Sequence, residues 1–486
     1  MDPNLLGAAF PHGRDGRSPT GLWANKVVSA LFSILTALTK VLKFVIVRSL
    51  FQNHFKEDGV MKRVIFSSFV LLAFLICFPI GSQAQLKPGD PIIIGVPTFL
   101  GSIEGSESLK AVTMAAEEIN AKGGVTIKGV KHPIKIEASE IRDGAPGVPV
   151  PEALLGIEKI ILDKKVHAIV VGPFRSEALL ATMDLLAKYK VPMLGTIAMT
   201  PASEARIREN PEKYKYVFRT CLTSKYAAEL LAGVMEQVTK EFGFKKAYLI
   251  NQDVLWARAT AGGIKGWYEK SGWEVLGQDE FPTGASDFSS ALMKAKAKGA
   301  QILFVCFDMP QSGILVKQYK SMKVPALMAG YISPMTGEVG WKTFDGQIGG
   351  LLEAVWELGN VPSAKYPPSK AFYDAYKNKY KASLQSGHGP APAYESVYVL
   401  KEAIERAGTI EADAVVAALK QTNRAGVMGR IRFDAGNQVV YGTDPAKEAV
   451  AVMFQWSEAG EQKIVYPTTI ADKKIWAPEW VLKPAK

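Results

Sequence analysis

The residues best suited to hold a small anion lie together in one turn of the chain. Residues 166–180 contain a short apolar strand, then Gly172-Pro173-Phe174-Arg175-Ser176, then an apolar helix. The glycine and proline end the strand, and Ser176 is predicted to cap the helix. Such a turn presents a hydroxyl and backbone N–H groups beside a helix N-terminus, which favours negative charge. The turn therefore suits a carboxylate, although many α/β proteins contain similar turns that bind nothing.

Other reactive groups do not form a recognised catalytic or metal-binding pattern. Glycine-rich dinucleotide and phosphate-loop signatures are missing from the sequence. After residue 84 the histidines are His132, His167 and His388, and their spacing matches neither a zinc site nor a Ser–His–Asp triad. We therefore expect no catalytic residues, no metal and no cofactor, and we expect that the protein is not an enzyme.

Length and charge narrow the class of protein further. With 486 residues, the chain is long enough for at least two domains. Its 48% hydrophobic and 22% charged residues are typical of a globular protein. The net charge is +11, but the lysines alternate with acidic residues along predicted helices, and they form no basic stripe with aromatic residues between them. Nucleic acid is therefore not an expected partner.

Residues 61–84 have the three parts of a secretory signal. Met61-Lys62-Arg63 is basic, residues 64–80 are almost entirely apolar, and small residues precede a cleavage site after Ala84. We therefore expect export to the periplasm and removal of Cys77. The other two cysteines, Cys221 and Cys306, form a disulfide only if the fold brings them together, which the sequence leaves open.

Residues 1–60 form a leader whose status stays open between three alternatives. Met61 is the true start and the earlier residues are an extension of the gene model, or residues 27–47 are a membrane-associated helix that tethers the protein, or the segment is a disordered leader. Against the second alternative, Lys40 and Lys43 lie on one face of the apolar run. Placing one lysine side chain at the centre of a bilayer costs about 2.5–3.5 kcal/mol of insertion free energy.

The remaining chain alternates strands and helices in two similar series. Strands are predicted at residues 91–96, 134–137, 169–171 and 191–195, and the second series has strands at 247–250, 274–276, 302–305 and 326–328. Amphipathic helices separate them, which predicts parallel sheets with right-handed crossovers. Ligands of such sheets bind at the carboxyl ends of the strands.

The chain then crosses back between the two series. An extended segment begins at residue 351, a crossing follows at 427–434, and residues 449–456 and 463–466 are predicted to pair antiparallel across Gly460. We predict an α/β protein with one lobe at 86–218 plus 352–426 and a second at 219–351 plus 427–486. The three chain segments that cross between the lobes are predicted to form a hinge.

Several segments together resemble the periplasmic branched-chain amino-acid binding proteins of ABC importers. They are the signal segment, Ile92-Ile93-Ile94-Gly95, the run at 115–125 that ends Asn120-Ala121-Lys122-Gly123-Gly124-Val125, the turn with Ser176, and residues 427–434. The likeness covers about residues 86–480. It implies a type I periplasmic-binding fold, in which two doubly wound parallel-sheet lobes are joined by a three-strand hinge and clamp a ligand.

The resemblance also implies which residues touch the ligand. Ser176 matches the serine that receives the ligand carboxylate. Ala198 and Thr200 lie in the loop that contacts the amino-acid head group, and Trp256 matches the aromatic residue that closes over the ligand.

Three positions depart from the pattern of the family. Asp308 falls near a position often held by tyrosine, and Tyr331 falls where an acid often pairs with the ligand ammonium. Either the acid has moved between loops, or the ligand is not an ordinary α-amino acid. Arg175 is also unusual, and it either attracts a second carboxylate or faces solvent.

The resemblance implies a periplasmic solute-binding protein, acting as a monomer, that captures an amino acid or similar small carboxylate and delivers it to an ABC permease. Two alternatives stay open. The same clamp can serve as a sensor that feeds a receptor, or the cleft can belong to a hydrolase. A regulator with this fold is disfavoured because no helix-turn-helix precedes the lobes.

Overall fold

The computed structural model describes residues 86–483. Within them the strands are, in chain order, β1 (Ile92–Thr98), β2 (Val125–Ile127), β3 (Val130–His132), β4 (Ile134–Glu140), β5 (Ala168–Val171), β6 (Met193–Gly195), β7 (Val217–Arg219), β8 (Lys246–Gln252), β9 (Glu274–Phe281), β10 (Ile302–Phe307), β11 (Leu327–Ile332), β12 (Leu352–Val355), β13 (Arg424–Gly426), β14 (Gly429–Ile431), β15 (Tyr441–Gly442), β16 (Ala449–Val450), β17 (Val452–Trp456) and β18 (Gln462–Tyr466).

The helices of the same residues are α1 (Ile103–Ala121), α2 (Val150–Lys164), α3 (Ser176–Tyr189), α4 (Ala202–Glu209), α5 (Pro211–Tyr214), α6 (Ser224–Phe242), α7 (Leu255–Lys270), α8 (Ser289–Ala297), α9 (Ser312–Ser321), α10 (Glu338–Thr343), α11 (Pro367–Tyr380), α12 (Pro390–Ala407), α13 (Ala412–Leu419) and α14 (Glu479–Leu482). A short 3₁₀ turn, Ser333–Met335, follows β11. None of these helices combines the length and the apolar character needed to cross a bilayer.

The first sheet consists of five parallel strands in the order β4-β1-β5-β6-β7. All four residues of β5 are buried, as expected for a parallel strand that is covered on both faces. Helices α1, α2 and α3 are those that the apolar spacing predicts, whereas α4 and α5, between β6 and β7, were not predicted. The predicted β-α alternation of this part of the chain is therefore confirmed.

The second sheet has the order β18-β17-β12-β11-β10-β8-β9, and strands β8 to β12 run parallel. Strand β17 pairs antiparallel with both β12 and β18, which confirms the antiparallel pair predicted across Gly460. The two sheets together form the predicted α/β fold.

One boundary of the predicted lobes differs in the structure. We expected residue 352 to begin the return to the first lobe, but Leu352–Val355 forms β12, whose backbone pairs with β11 and β17 of the second sheet. The chain returns to the first lobe after Val355. It leads to α12, where Tyr394 and Tyr398 both donate hydrogen bonds to Glu118 on α1. The other lobe boundaries stay predictions.

Arg219 contacts several of the chain segments that connect the two sheets. Its backbone N–H donates to Asn437 O at 2.9 Å, and its buried guanidinium donates to Glu204 Oε1 at 3.2 Å and Gln438 Oε1 at 2.8 Å. Residues 424–450 form a small sheet beside it, in the order β13-β14-β16-β15. A buried arginine with several acceptors therefore holds the hinge segments together.

Asp143 holds the turn after β5. Its Oδ2 accepts hydrogen bonds from Phe174 N at 2.8 Å and Arg175 N at 2.9 Å. Burial raises the pKa of Asp143 to about 6, although those two N–H groups act in the opposite direction. The helix begins at Ser176 with Arg175 at the N-cap and no side-chain cap bond, so the prediction that Ser176 caps the helix is wrong.

Both cysteines of the described residues, Cys221 and Cys306, are buried free thiols. The predicted leader at 1–60 and the signal segment at 61–84 lie outside the described residues.

Gly330 provides a test of the packing that positions Tyr331. It lies in β11 at φ +147°, and an added Cβ would be 1.9 Å from Val305 O on β10. We expect Gly330→Ala to lower the free energy of unfolding by about 2–4 kcal/mol, measured by urea denaturation. The control Gly262→Ala, in α7 with open space around the added methyl, is expected to raise it by about 0.5–1 kcal/mol. Equal effects of the two substitutions would contradict the packing described here.

Candidate functional site

A cavity lies where the carboxyl ends of strands from both sheets meet. It is lined by acidic, aromatic and apolar side chains, namely Glu104, Phe174, Ile197, Met199, Trp256, Asp308, Tyr331, Trp356 and His388. Its volume is only about 10 Å³, whereas the adjoining outer cleft measures about 630 Å³. Because the inner cavity holds little more than one water molecule, a larger solute enters it only if the two sides separate.

The first contact across the cavity is an ion pair. Arg175 Nη1 donates to Asp308 Oδ2 at 2.6 Å, and both side chains are about nine-tenths buried. Trp256 Nε1 donates to the same oxygen at 2.6 Å. Arg175 also donates to Gly144 O and lies over the ring of Phe174. The predicted Arg175, Trp256 and Asp308 therefore come together, and Arg175 binds a carboxylate of the protein rather than facing solvent.

The second contact across the cavity is centred on Glu104. Its Oε1 accepts hydrogen bonds from Tyr331 OH at 3.1 Å and Ser333 Oγ at 2.5 Å. Burial raises the pKa of Glu104, the Ser333 hydrogen bond opposes that shift, and the charge of Asp308 adds to it. The ring of Tyr331 lies close to those of Trp256 and Trp356, whose centroids are 6.1 Å and 5.3 Å away.

Several polar atoms in this region are buried without a hydrogen-bond partner among the residues that the structure describes. They include Glu104 Oε2, Ser176 Oγ, Asp308 Oδ1 and Trp356 Nε1. A buried polar atom without a partner is costly and rare. Glu104, Asp308 and Trp356 line the inner cavity, so three such atoms belong to one cavity wall, whereas Ser176 lines neither the inner cavity nor the outer cleft.

The predicted Ala198 and Thr200 do not line the cavity. Ala198 O accepts a hydrogen bond from Arg219 Nη1 at 2.8 Å. Thr200 Oγ1 accepts from Ala202 N at 3.2 Å, where it serves its own loop. From this loop, Ile197 and Met199 reach the cavity instead, and a ligand contact by Ala198 or Thr200 stays a prediction.

Sequence reasoning missed His388 as a member of the site. Its Nε2 lies 2.6 Å from Ile197 O, and its Nδ1 lies 3.0 Å from Glu357 Oε1. Since both partners are acceptors, the ring is held in its doubly protonated form. Burial lowers the pKa of His388, but the Glu357 carboxylate and the hydrogen bonds outweigh burial and the net pKa is raised.

No metal site accompanies this arrangement. Between residues 86 and 483, no group of three or more His, Cys, Asp or Glu side chains is placed to hold a metal ion. The buried His388 has both ring nitrogens engaged by Glu357 and Ile197 and offers no lone pair to a ligand. The arrangement is suited to holding a solute by hydrogen bonds and aromatic contact.

Comparison with known proteins gives consistent matches. A family model described as "Periplasmic binding protein" matches residues 98–461. The Leu/Ile/Val-binding protein BraC3 of Rhizobium johnstonii is 27% identical over 360 residues, which are 74% of this chain and 88% of that protein. Leu/Ile/Val-binding protein homolog 3 of Brucella melitensis is 29% identical over 64% of this chain and 77% of its own.

Solved structures share the fold at lower sequence identity. A putative branched-chain amino acid ABC transporter protein from Silicibacter pomeroyi has a TM-score of 0.68 and 19% identity, covering 80% of this chain and 100% of that chain. The substrate-binding protein LivJ from Streptococcus pneumoniae, in complex with isoleucine, has a TM-score of 0.63 and 23% identity. The match covers 78% of this chain and 100% of that chain.

The protonated His388 makes stability depend on pH in a defined direction. Because its folded pKa is raised, its contribution is complete below the ordinary histidine pKa of 6.5 and is lost as pH rises through the folded pKa. We expect the difference in unfolding free energy between the wild type and His388→Gln to be largest near about pH 5.5. Above the ordinary pKa it shrinks by up to about 1.4 kcal/mol per pH unit.

Chemical denaturation of both proteins at a series of pH values measures this difference. His167 provides a control, because burial lowers its pKa, so the corresponding difference for His167→Gln is expected to grow rather than shrink as pH rises. A difference for His388→Gln that does not change with pH would show that the ring is neutral in the folded protein.

Proposed function

This chain belongs to the periplasmic binding protein family, and we propose on that premise that it captures an amino acid or similar small carboxylate in the cleft between its lobes. The observation that carries this proposal is the set of buried polar atoms without partners around the cleft, among the described residues. The names of the similar proteins from Rhizobium and Brucella, which refer to leucine, isoleucine and valine, support the same class of ligand.

Ser176 is the group we assign to the ligand carboxylate. Its side chain is buried, and its Oγ has no partner within residues 86–483. It is the first residue of the 14-residue helix α3, so the partial positive charge of the helix N-terminus acts at the same place. A hydroxyl at a helix N-terminus favours a carboxylate over a neutral oxygen.

The expected affinity follows from the number of contacts. A hydrogen bond to a charged group contributes about 1.5–3 kcal/mol. Three or four such bonds, together with apolar contact to Ile197, Met199 and the aromatic rings, support binding near −8 kcal/mol, or about micromolar affinity. Part of the gross interaction offsets the ordering cost of closing the cleft.

Capture is proposed to occur by closure of the two lobes. Arg175 follows β5 of the first sheet, and Asp308 follows β10 of the second, so their ion pair forms only when the two sides approach. The closed form then docks on the permease of an ABC importer. We retain the predicted lobe boundaries in this proposal, except that β12 belongs to the second lobe.

Family membership implies an extracytoplasmic protein that binds a solute rather than transforming it. The finer proposal is that residues 61–84 direct export to the periplasm and are removed. We also propose that the mature protein acts as a monomer and uses no cofactor.

Ser176→Ala tests the carboxylate site. We expect it to weaken binding of the tightest-binding standard amino acid by about 10- to 100-fold, because a hydrogen bond to a charged group is lost. Isothermal titration calorimetry measures the change in Kd. The matched control is Ser363→Ala, because Ser363 is also a buried serine whose Oγ has no partner among the described residues, but it lies between β12 and α11 and not at the N-terminus of α3. Equal affinities of the two variants would refute the assignment of Ser176.

The ion pair between the lobes is tested by a double-mutant cycle on ligand affinity. Arg175→Met and Asp308→Ala are each expected to weaken binding by about tenfold or more, because each leaves a buried charge without its partner in the closed form. The double variant is expected to lose less than the two single losses combined. Strictly additive losses would contradict the role of the pair in closure.

The control for this cycle is an ion pair that lies within the second lobe. Lys294 Nζ is 2.7 Å from Asp279 Oδ1, and half of the lysine side chain is exposed. We expect Lys294→Met to leave the ligand affinity unchanged, because an exposed pair contributes little.

A further inference from the structure

A second cavity lies at the amino ends of the strands of the first sheet, on the edge opposite the cleft. Its volume is about 510 Å³, which is within the range of small-molecule sites. Its wall includes His132 before β4, His167 before β5 and Val191 before β6. Among the described residues, it shares no lining residue with the inner cavity or the outer cleft. We call it the basal cavity, and it is separate from the place where we propose capture of a solute.

Much of the wall of the basal cavity is apolar and open to solvent. Half-buried apolar and aromatic side chains surround it, namely Leu86, Ile127, Tyr189, Ala407, Ile410 and Ala412. Val130, which also lines it, is 36% exposed. Contiguous apolar surface in contact with water marks a binding site more often than a scattered apolar residue does. The wall therefore favours a solute with an apolar body.

His132 offers a hydrogen-bond acceptor to this cavity. Its side chain is buried, at 2% exposure, and its Nδ1 lies 2.9 Å from Asp90 O. Because a carbonyl oxygen can only accept, Nδ1 carries the proton and donates it. Nε2 has no partner within residues 86–483, and in the neutral ring it holds a lone pair. A buried acceptor of this kind requires a donor from elsewhere.

His167 offers the complementary group, a hydrogen-bond donor. Its Nδ1 accepts from Ile93 N at 2.9 Å, and because a backbone N–H can only donate, the ring proton lies on Nε2. Burial lowers the pKa of His167, which keeps the ring neutral. Its Nε2–H has no acceptor in the part of the chain that the structure describes. The same tautomer leaves Nε2 without a lone pair for a metal ion.

The charged residues of the lining do not require a charged solute. Lys190 Nζ is 3.6 Å from Asp413 Oδ2. Glu411 accepts hydrogen bonds from the N–H groups of Asp413 and Ala414 at the start of α13. Lys128 is exposed to solvent. The two histidine rings are therefore the polar groups of the wall that still need a partner from a solute.

We infer that the basal cavity is a second binding site, for a neutral solute whose apolar body carries both a hydrogen-bond donor for His132 Nε2 and an acceptor for His167 Nε2–H. The rings approach from either side of β1, since β4 and β5 both pair with that strand. A carboxylate has no hydrogen for His132, and an ammonium has no lone pair for His167. This inference goes beyond the proposed function, because it does not depend on a solute between the lobes.

The experiment titrates four compounds that share one apolar body. 3-Phenylpropanamide has a donor and an acceptor, its N,N-dimethyl derivative has the acceptor alone, 3-phenylpropanoate is an anion, and 3-phenylpropylamine is a cation. Nitrogen-15 NMR of the ring nitrogens of His132 and His167 at about pH 8, above the ordinary histidine pKa of 6.5, reports binding at the cavity itself. We expect the primary amide to bind about two- to tenfold more tightly than the dimethyl amide and more tightly than either ion.

Asparagine substitutions separate the roles of the two rings, because asparagine can keep the bond that each Nδ1 makes and has no counterpart of Nε2. We expect His132→Asn to abolish the preference for the primary over the dimethyl amide. We expect His167→Asn to weaken both amides by about two- to tenfold and to keep that preference. The remaining ring reports binding in each variant, so each variant is the matched control for the other. Both are expected to keep the wild-type affinity for amino acids, which shows that they fold.

The outcomes decide the inference without reference to the cleft. It is overturned if none of the four compounds shifts the two histidine signals, if the dimethyl amide or either ion binds as tightly as the primary amide, or if the two asparagine variants behave alike. If a variant does not fold, the comparison of the four compounds on the wild type still decides. Repeating the titration on Ser176→Ala is expected to leave the affinity for the primary amide unchanged, whereas a loss there would place the compound in the cleft and overturn the inference.

Discussion

The cleft depends on buried polar contacts that join its two sides. Arg175 and Asp308 meet at 2.6 Å, and Glu104 on α1 meets Tyr331 on β11 and Ser333 just after it, so the partners come from opposite sides of the cleft. A buried charge without a partner costs several kcal/mol. The closed arrangement is therefore stable only when each of these groups has a counterpart, which links closure of the cleft to what lies inside it.

The two sheets place these groups near the carboxyl ends of their strands. The first sheet is parallel throughout, and β8 to β12 of the second sheet are parallel to one another, so the carboxyl ends of these strands meet at one edge and the loops that follow converge there. Asp143 holds the loop after β5, and Arg219 holds the loop after β6 through Ala198 O. The second anchor explains why this loop presents the side chains of Ile197 and Met199 to the cavity, while the carbonyl of Ala198 points to the hinge.

The sequence predicted most of the fold because the signal is local. Continuous apolar runs identify β5 and β10, and glycine follows the ends of α1, α6, α7, α8 and α12. The resemblance to the family, rather than apolar patterning, identified Arg175, Trp256, Asp308 and Tyr331, which the structure brings together around one cavity. The acid expected at Tyr331 has a counterpart in Glu104, which lies 227 residues away in the chain and bonds to that tyrosine.

What sequence reasoning missed depends on contacts between distant residues. Glu104 resembles any acid in the first turn of a helix until Tyr331 and Ser333 close over it. His388 has no metal-like spacing, and its role arises from Glu357 and from Ile197 O, 191 residues away. The extended segment β12 was correctly predicted as a strand, but its sheet was not, because pairing with β11 and β17 leaves no mark within four residues.

The most direct measurement is a crystal structure of the protein in complex with the amino acid that binds most tightly in the titrations. The account predicts one solute between the two sheets, with its carboxylate at Ser176 and its other end in the inner cavity, which is enlarged from about 10 Å³ to hold it. A solute bound elsewhere on the surface, or one held in the cleft with its two ends reversed, would contradict the account.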